Sequence, residues 1–82
     1  MEPLISLQII TPEKTLVECK ASLVELPGVC GRFEVLKDHA PLITALTGGK
    51  LRYVAADGEH YCEIKTGFVE VCDNKVMVCA EL

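Results

Sequence analysis

Leu26-Pro27-Gly28-Val29-Cys30-Gly31-Arg32-Phe33-Glu34-Val35-Leu36-Lys37-Asp38-His39-Ala40-Pro41-Leu42-Ile43-Thr44-Ala45-Leu46-Thr47-Gly48-Gly49 is the stretch whose reading decides the fold. It holds a turn, a short strand, a polar corner and a second strand in very little chain. Pro27-Gly28 reads as a turn, because proline presets φ at the first central position and glycine tolerates positive φ at the next. Phe33, Val35 and Leu36 form a strand-like run that breaks at Lys37-Asp38. Pro41 pushes Ala40 toward extended geometry and bars helix entry there. Leu42 to Leu46 resumes the apolar run, and Gly48-Gly49 ends it. Turns so close together mark a fixed loop surface rather than slack connection.

Outward from this stretch the pattern repeats. Leu4 to Ile10 alternates apolar residues with Ser6 and Gln8, as a half-buried strand does. Thr11-Pro12-Glu13 breaks it. No helical period follows, so a capping box is excluded and a tight hairpin into Thr15–Cys19 is expected. Ala21 to Leu26 is a further strand with Val24 and Leu26 on one face. Lys50 to Ala55 alternates again, and Asp57-Gly58 is a favoured type I′ hairpin pair. His60 to Thr66 pairs back, Gly67 punctuates, and Phe68–Cys72 and Val76–Cys79 flank a turn at Asp73-Asn74-Lys75. This gives about eight to ten short strands with turns between them, the pattern of an antiparallel sandwich or barrel. No apolar period of 3.6 residues lasts three turns, so no long helix is expected.

The chain has 82 residues, half of them apolar and 24% charged, which reads as one small globular domain spanning residues 1–82. A net charge of −4 with scattered basic residues argues against nucleic acid. Glu2 and Pro3 stand where a secretory leader would carry basic residues. No apolar run approaches the roughly 20 residues of a membrane span.

Candidate chemistry is sparse. The five cysteines at 19, 30, 62, 72 and 79 include no CxxC pair, so neither a zinc site nor a disulfide framework is signalled. They read as small buried hydrophobes. Cys72 and Cys79, flanking a turn, are the best disulfide candidates, but a reducing setting is the simpler account. Asp38-His39 is the most reactive-looking pair, yet neighbours on an extended segment point to opposite sides. His39 is therefore read as a polar turn or contact residue. His39, His60 and the cysteines lack metal-ligand spacing, and the glycines open no helix that could cradle phosphate. Glu59, Glu63 and Glu70 read as solvent-facing. No catalytic, metal or cofactor residue is expected.

The order of residues resembles one family. Thr11-Pro12-Glu13 follows an apolar strand. Leu26-Pro27-Gly28 comes next, then Gly31-x-Phe33-x-Val35-Leu36, His39-Ala40-Pro41-Leu42 and Thr44-Ala45-Leu46. Gly67-Phe68-Val69-Glu70-Val71 and Asn74-Lys75-Val76 close the pattern. In this order and spacing the chain is similar to the N-terminal β-sandwich domain of the epsilon subunit of F-type ATP synthases. The resemblance implies an all-β, flattened sandwich of about ten short strands. It implies a non-catalytic rotor subunit of the central stalk, without cofactor, that binds the gamma subunit and sits on the membrane ring of c subunits. Such a subunit helps couple ion translocation to ATP synthesis or hydrolysis. It would lie peripherally on the cytoplasmic face of the inner membrane and be a monomer outside the complex. Carried over residue by residue, Cys30, Gly31 and Arg32 face the c-ring, while Thr11, His39, Ala40 and Pro41 lie toward gamma. Arg32 stands where an acidic residue is common, Glu34 where glycine is usual, Lys37 where proline is usual, and Thr66 replaces the first glycine before Phe68. The family continues into a helical hairpin that can bind ATP. This sequence ends at Leu82, so a short form without the C-terminal hairpin or a nucleotide site is expected.

Two other readings compete. A free-standing sandwich that binds a small ligand or peptide would need a concave pocket or an aromatic platform. A cysteine-dependent enzyme would need a thiol of lowered pKa beside His39.

Overall fold

Alternation decides which face of each strand is buried. In β1 (Ile5–Ile10), Ile5, Leu7 and Ile9 are buried and Ser6, Gln8 and Ile10 occupy the other face. The Thr11 hydroxyl oxygen accepts the N–H groups of Glu13 at 3.3 Å and Lys14 at 3.2 Å. The Thr11 N–H donates to the Lys14 carbonyl at 2.8 Å, closing the reversal. The hairpin expected here is therefore present, and β2 (Thr15–Gly28) pairs back antiparallel on β1. The computed structural model describes residues 4–82, so Glu2 and Pro3, read above against a leader, lie outside the described residues.

β2 is the corner of the molecule. It runs unbroken through 14 residues where the sequence suggested two strands and a turn. Its first half pairs with β1, and its second half lies between β3 (Gly31–Val35) and β5 (Gly49–Ala55). A register irregularity between Ala21 and Leu23 lets one strand serve both layers. Pro27 and Gly28 close β2 instead of forming the turn. The reversal is Val29-Cys30, with Gly28 opposite Gly31. Proline is tolerated near a strand's end, where few ladder bonds remain to be lost.

β4 (Leu42–Leu46), β7 (Thr66–Cys72) and β8 (Lys75–Glu81) join β1 and the start of β2 in one layer. β6 (Gly58–Ile64), β5, the end of β2 and β3 make the other. Pairing is antiparallel except between β1 and β8, which run parallel. These two strands come from opposite ends of the chain, and no hairpin forces their direction. Among the described residues eight strands result rather than about ten, chiefly because β2 is continuous. No helix occurs among residues 4–82.

Of the two hairpins near the end, the first shifts by a residue from the sequence reading and the second keeps its place at Asp73-Asn74. The β5–β6 loop is Ala56-Asp57, and only Gly58 has positive φ, so the type I′ geometry expected at Asp57-Gly58 is absent. That geometry occurs at Asp73-Asn74, with φ of 52° and 61°, between paired Cys72 and Lys75. The core between the layers holds Leu7, Ile9, Val24, Leu26, Leu51, Val69, Val71, Val76 and Val78 among others, and among the described residues no polar or charged residue is buried. The overall dimensions of 34 × 24 × 18 Å are those of a flattened sandwich.

Candidate functional site

The two outer faces of the sandwich have opposite character. On the β4-β7-β8-β1 layer, Thr44, Val69, Val78 and Ile9 form one cross-strand row, with Val69, Val78 and Ile9 buried. The rows on either side therefore point outward. One is Ile43, Glu70, Met77 and Gln8, and the next is Ala45, Phe68, Cys79 and Ile10. Ile43 is 71% exposed and Phe68 50%. Cross-strand neighbours stand about 4.5–5.5 Å apart, so these side chains make one apolar surface interrupted by Glu70 and Gln8. Contiguous exposed apolar area of this kind marks an interaction face.

The β6-β5-β2-β3 layer is covered by charge. Glu25 accepts from Arg52 Nε at 3.1 Å and lies 3.4 Å from Arg32 Nη2. Arg52 also reaches Glu59 at 3.2 Å, and the Tyr61 hydroxyl donates to the same Glu59 oxygen at 2.9 Å. The Lys50 ammonium lies 5.5 Å above the Tyr61 ring. The hydrogen bonds from Arg52 and then Arg32 hold the Glu25 carboxyl below its usual range. Those from Tyr61 and Arg52 do the same for Glu59. His60 depresses Asp57 through a 2.7 Å contact between Nε2 and Oδ1.

Each of these carboxylates releases its proton more readily folded than unfolded. Their stabilisation is complete above the ordinary carboxylate range and is lost as pH falls through the folded values. Urea midpoints are thus expected to stay level from pH 7 to about 5 and to decline below about 4, and Glu25→Gln should make that decline shallower. Equal acid sensitivity in Glu25→Gln would remove Glu25 from this role.

Register places the residues carried over from the family. Thr11 follows Ile10 at one end of the apolar face. The Val29-Cys30 turn reaches the same end, since the Val29 N–H donates to the Ala45 carbonyl at 3.2 Å. Ala45, Phe68, Cys79 and Ile10 continue that row. His39, Ala40 and Pro41 sit at the opposite end, beside the β7–β8 turn. The Asp38 N–H donates to Asn74 Oδ1 at 2.6 Å, and the Asn74 carbonyl accepts the Ser6 N–H at 2.9 Å. Thr11 and His39–Pro41 therefore do not meet; they bracket the apolar face from its two ends. His39 Nδ1 donates to the Ala40 carbonyl at 2.7 Å, while Asp38, at φ 67°, turns toward Asn74. The two do not form a catalytic pair.

The thiols divide. Cys19, Cys62 and Cys79 are half-buried, but Cys30 and Cys72 are exposed, against the reading of all five as buried hydrophobes. Cys72 faces Lys75 and Cys79 faces Phe68. That offset of four residues along a strand is about 13 Å, beyond disulfide reach. Burial pushes the Cys19 and Cys62 thiols up, and the neighbouring Asp73 charge pushes up Cys72. An activated nucleophile needs the opposite shift. Glu59, Glu63 and Glu70 are exposed as expected.

A groove of about 480 Å³ runs beside the apolar face, lined by Ser6, Gln8, Lys20, Glu70, Met77 and others. It is partly open and shares Gln8, Glu70 and Met77 with that face.

Residues 4–82 match the family model described as the ATP synthase, Delta/Epsilon chain, beta-sandwich domain. The chain belongs to this family. It is 42% identical over 77 residues to the ATP synthase epsilon chain of Anaeromyxobacter sp. (strain K), covering 94% of this chain and 58% of that one. It is 43% identical over 81 residues to that of Lawsonia intracellularis, covering 99% of this chain and 61% of the relative. The chain thus spans less than two thirds of the length of these relatives. A chain of the Euglena gracilis mitochondrial ATP synthase (OSCP/F1/c-ring, rotational state 1) shares the fold with a TM-score of 0.85 at 20% identity, covering 98% of this chain and 51% of that chain. A chain of the Tetrahymena thermophila mitochondrial ATP synthase (central stalk/c-ring) gives 0.79 at 14%, covering 94% and 63%. At these identities the two structures speak for the fold. The flattened all-β sandwich implied by the resemblance is the architecture found.

Ile43, Phe68 and Met77 were not singled out from sequence, where apolar strand residues count as core. The signal is nonetheless there: Val69 and Val71 share one parity, so Phe68 falls on the side of Glu70.

Proposed function

We propose that this chain is a non-catalytic central-stalk subunit of an F-type ATP synthase. In this reading the gamma subunit docks on the exposed β4-β7-β8-β1 face, between Thr11 at one end and His39, Ala40 and Pro41 at the other. The Cys30-Gly31-Arg32 turn meets the ring of c subunits. The subunit then lies peripherally at the cytoplasmic face of the inner membrane and helps couple ion translocation to ATP synthesis or hydrolysis. No helix among the described residues is long and apolar enough to cross a membrane.

The observation that carries this reading is the apolar face itself, with Ile43 71% exposed within a paired strand. A rigid sandwich presents it already ordered, so docking loses little conformational entropy. The face and the ring-directed turn belong to one hydrogen-bonded body, as a torque-bearing subunit requires.

Co-expression with the cognate gamma subunit followed by size exclusion tests the proposal, with co-elution as a 1:1 complex expected. Ile43→Asp buries a charge in the interface core and should weaken the complex at least about tenfold. The chain should stay folded, losing about 1 kcal/mol from the like charge set opposite Glu70 and the weaker strand preference of aspartate. Co-elution unaffected by Ile43→Asp would move gamma off this face. Separate elution of the native chain would end the stalk reading.

A further inference from the structure

Arg32 is the only charged side chain from Leu26 through Phe33, but it does not extend from the turn. Its Nη2 donates to the Lys50 carbonyl at 2.7 Å and lies 3.4 Å from Glu25 Oε1. The guanidinium thus reaches from β3 across β2 to β5, on the outer face of that layer. Glu25 is held in turn by Arg52, which is anchored to Glu59. Both contacts use Nη2, so the guanidinium is held along the sheet beside Lys50 and away from the tip of the turn, while its Nη1 and Nε donors are used by neither bond.

What the turn does present is uncharged. Val29 is 57% exposed and Cys30 is exposed. Gly31 has φ +124°, and a Cβ there would meet nothing within 4 Å, so its backbone is open to close approach. The turn is also pinned from beneath. The Val29 N–H donates to Ala45 at 3.2 Å, and the Thr47 N–H donates to the Pro27 carbonyl at 2.8 Å.

We infer that Arg32 is a positioning residue that braces the turn against β2 and β5, and that the partner is met by the uncharged tip of Val29, Cys30 and Gly31. The partner surface that fits is a polar-uncharged or apolar loop able to approach backbone closely, rather than an acidic group awaiting a cation. This inference rests on the reading of the turn as the ring-facing surface.

Two measurements test it and separate it from that reading. In the isolated chain, Arg32→Gln should speed amide exchange at Cys30 and Gly31 several-fold. Combining it with Glu25→Gln should add less than the sum of the two single effects, as coupled partners do. Unchanged exchange in Arg32→Gln overturns the brace. With the purified c-ring in detergent, Arg32→Gln and Glu25→Gln should weaken binding comparably. The salt dependence between about 50 and 500 mM should match that of the native chain. The contact inference is overturned if Arg32→Gln abolishes a salt-sensitive share of binding while Glu25→Gln keeps or strengthens binding. A native chain that does not bind the ring removes the contact inference together with the ring reading, and the exchange result still decides the brace.

Discussion

Leu26→Ala is expected to lower the unfolding free energy by about 2–5 kcal/mol, the range for removing a fully buried leucine. Leu26 is 0% exposed and lies in the half of β2 that is flanked by β3 and β5. Strands paired on both sides cannot collapse into the space left behind, which puts the loss toward the upper part of that range. An 82-residue domain has a total stability near the low end of about 5–15 kcal/mol, so the variant should be close to unfolding at room temperature. Urea denaturation reads this as a lowered midpoint with an unchanged slope. Leu26→Met, which keeps the volume, should lose less than about 1.5 kcal/mol. A loss below about 1 kcal/mol in Leu26→Ala would contradict the placement of Leu26 in the core.

Gly67→Ala should be comparably costly for a different reason. Gly67 lies within β7, opposite Leu46 on one side and Ala80 on the other. A Cβ at this position would collide with the Cys79 carbonyl oxygen and stand 3.0 Å from the Ala80 Cα. Both obstacles are backbone, so no side chain can rotate away and β7 and β8 must part. Overpacking that moves backbone costs about 1–3 kcal/mol, and broken ladder bonds add to it. The effect should reach the apolar face as well, because Phe68 is the next residue and Cys79 its cross-strand partner. On the docking proposed above, Gly67→Ala should therefore weaken binding of gamma as well as stability, whereas Leu26→Ala at temperatures where it is folded should not. A Gly67→Ala chain with native urea midpoint would show that β7 and β8 separate without cost.

Much of the fold was legible because burial here follows period two. The parity of Ile5, Leu7 and Ile9, of Val24 and Leu26, and of Leu51 and Tyr53 matches their burial. The limits lie where tertiary pairing overrides local signals. Pro27-Gly28 has turn chemistry, but pairing with β3 extends β2 to Gly28 and moves the reversal to Val29-Cys30. Gly67 looked like punctuation because a glycine in a strand resembles a break; its reason is the close approach of β8. The β1–β8 parallel pair joins segments too far apart in sequence for any turn signal to announce it. The residues carried over from the family were nameable from motifs, but their division between the two ends of one sheet depends on register. The apolar face was hidden for the opposite reason: exposed and buried apolar residues look alike until the second layer shows which side is covered.

The most direct test is oxidative footprinting of the chain alone and in complex with gamma. Met77 and Phe68 lie on the apolar face, and Tyr61 belongs to the charged network on the other. Each is solvent-accessible in the free chain and carries a readily oxidised or hydroxylated side chain. Docking as proposed predicts that labelling of Met77 and Phe68 falls several-fold on complex formation while that of Tyr61 is unchanged. Protection of Tyr61 with Met77 and Phe68 still fully labelled would contradict it, and would put gamma on the charged face instead.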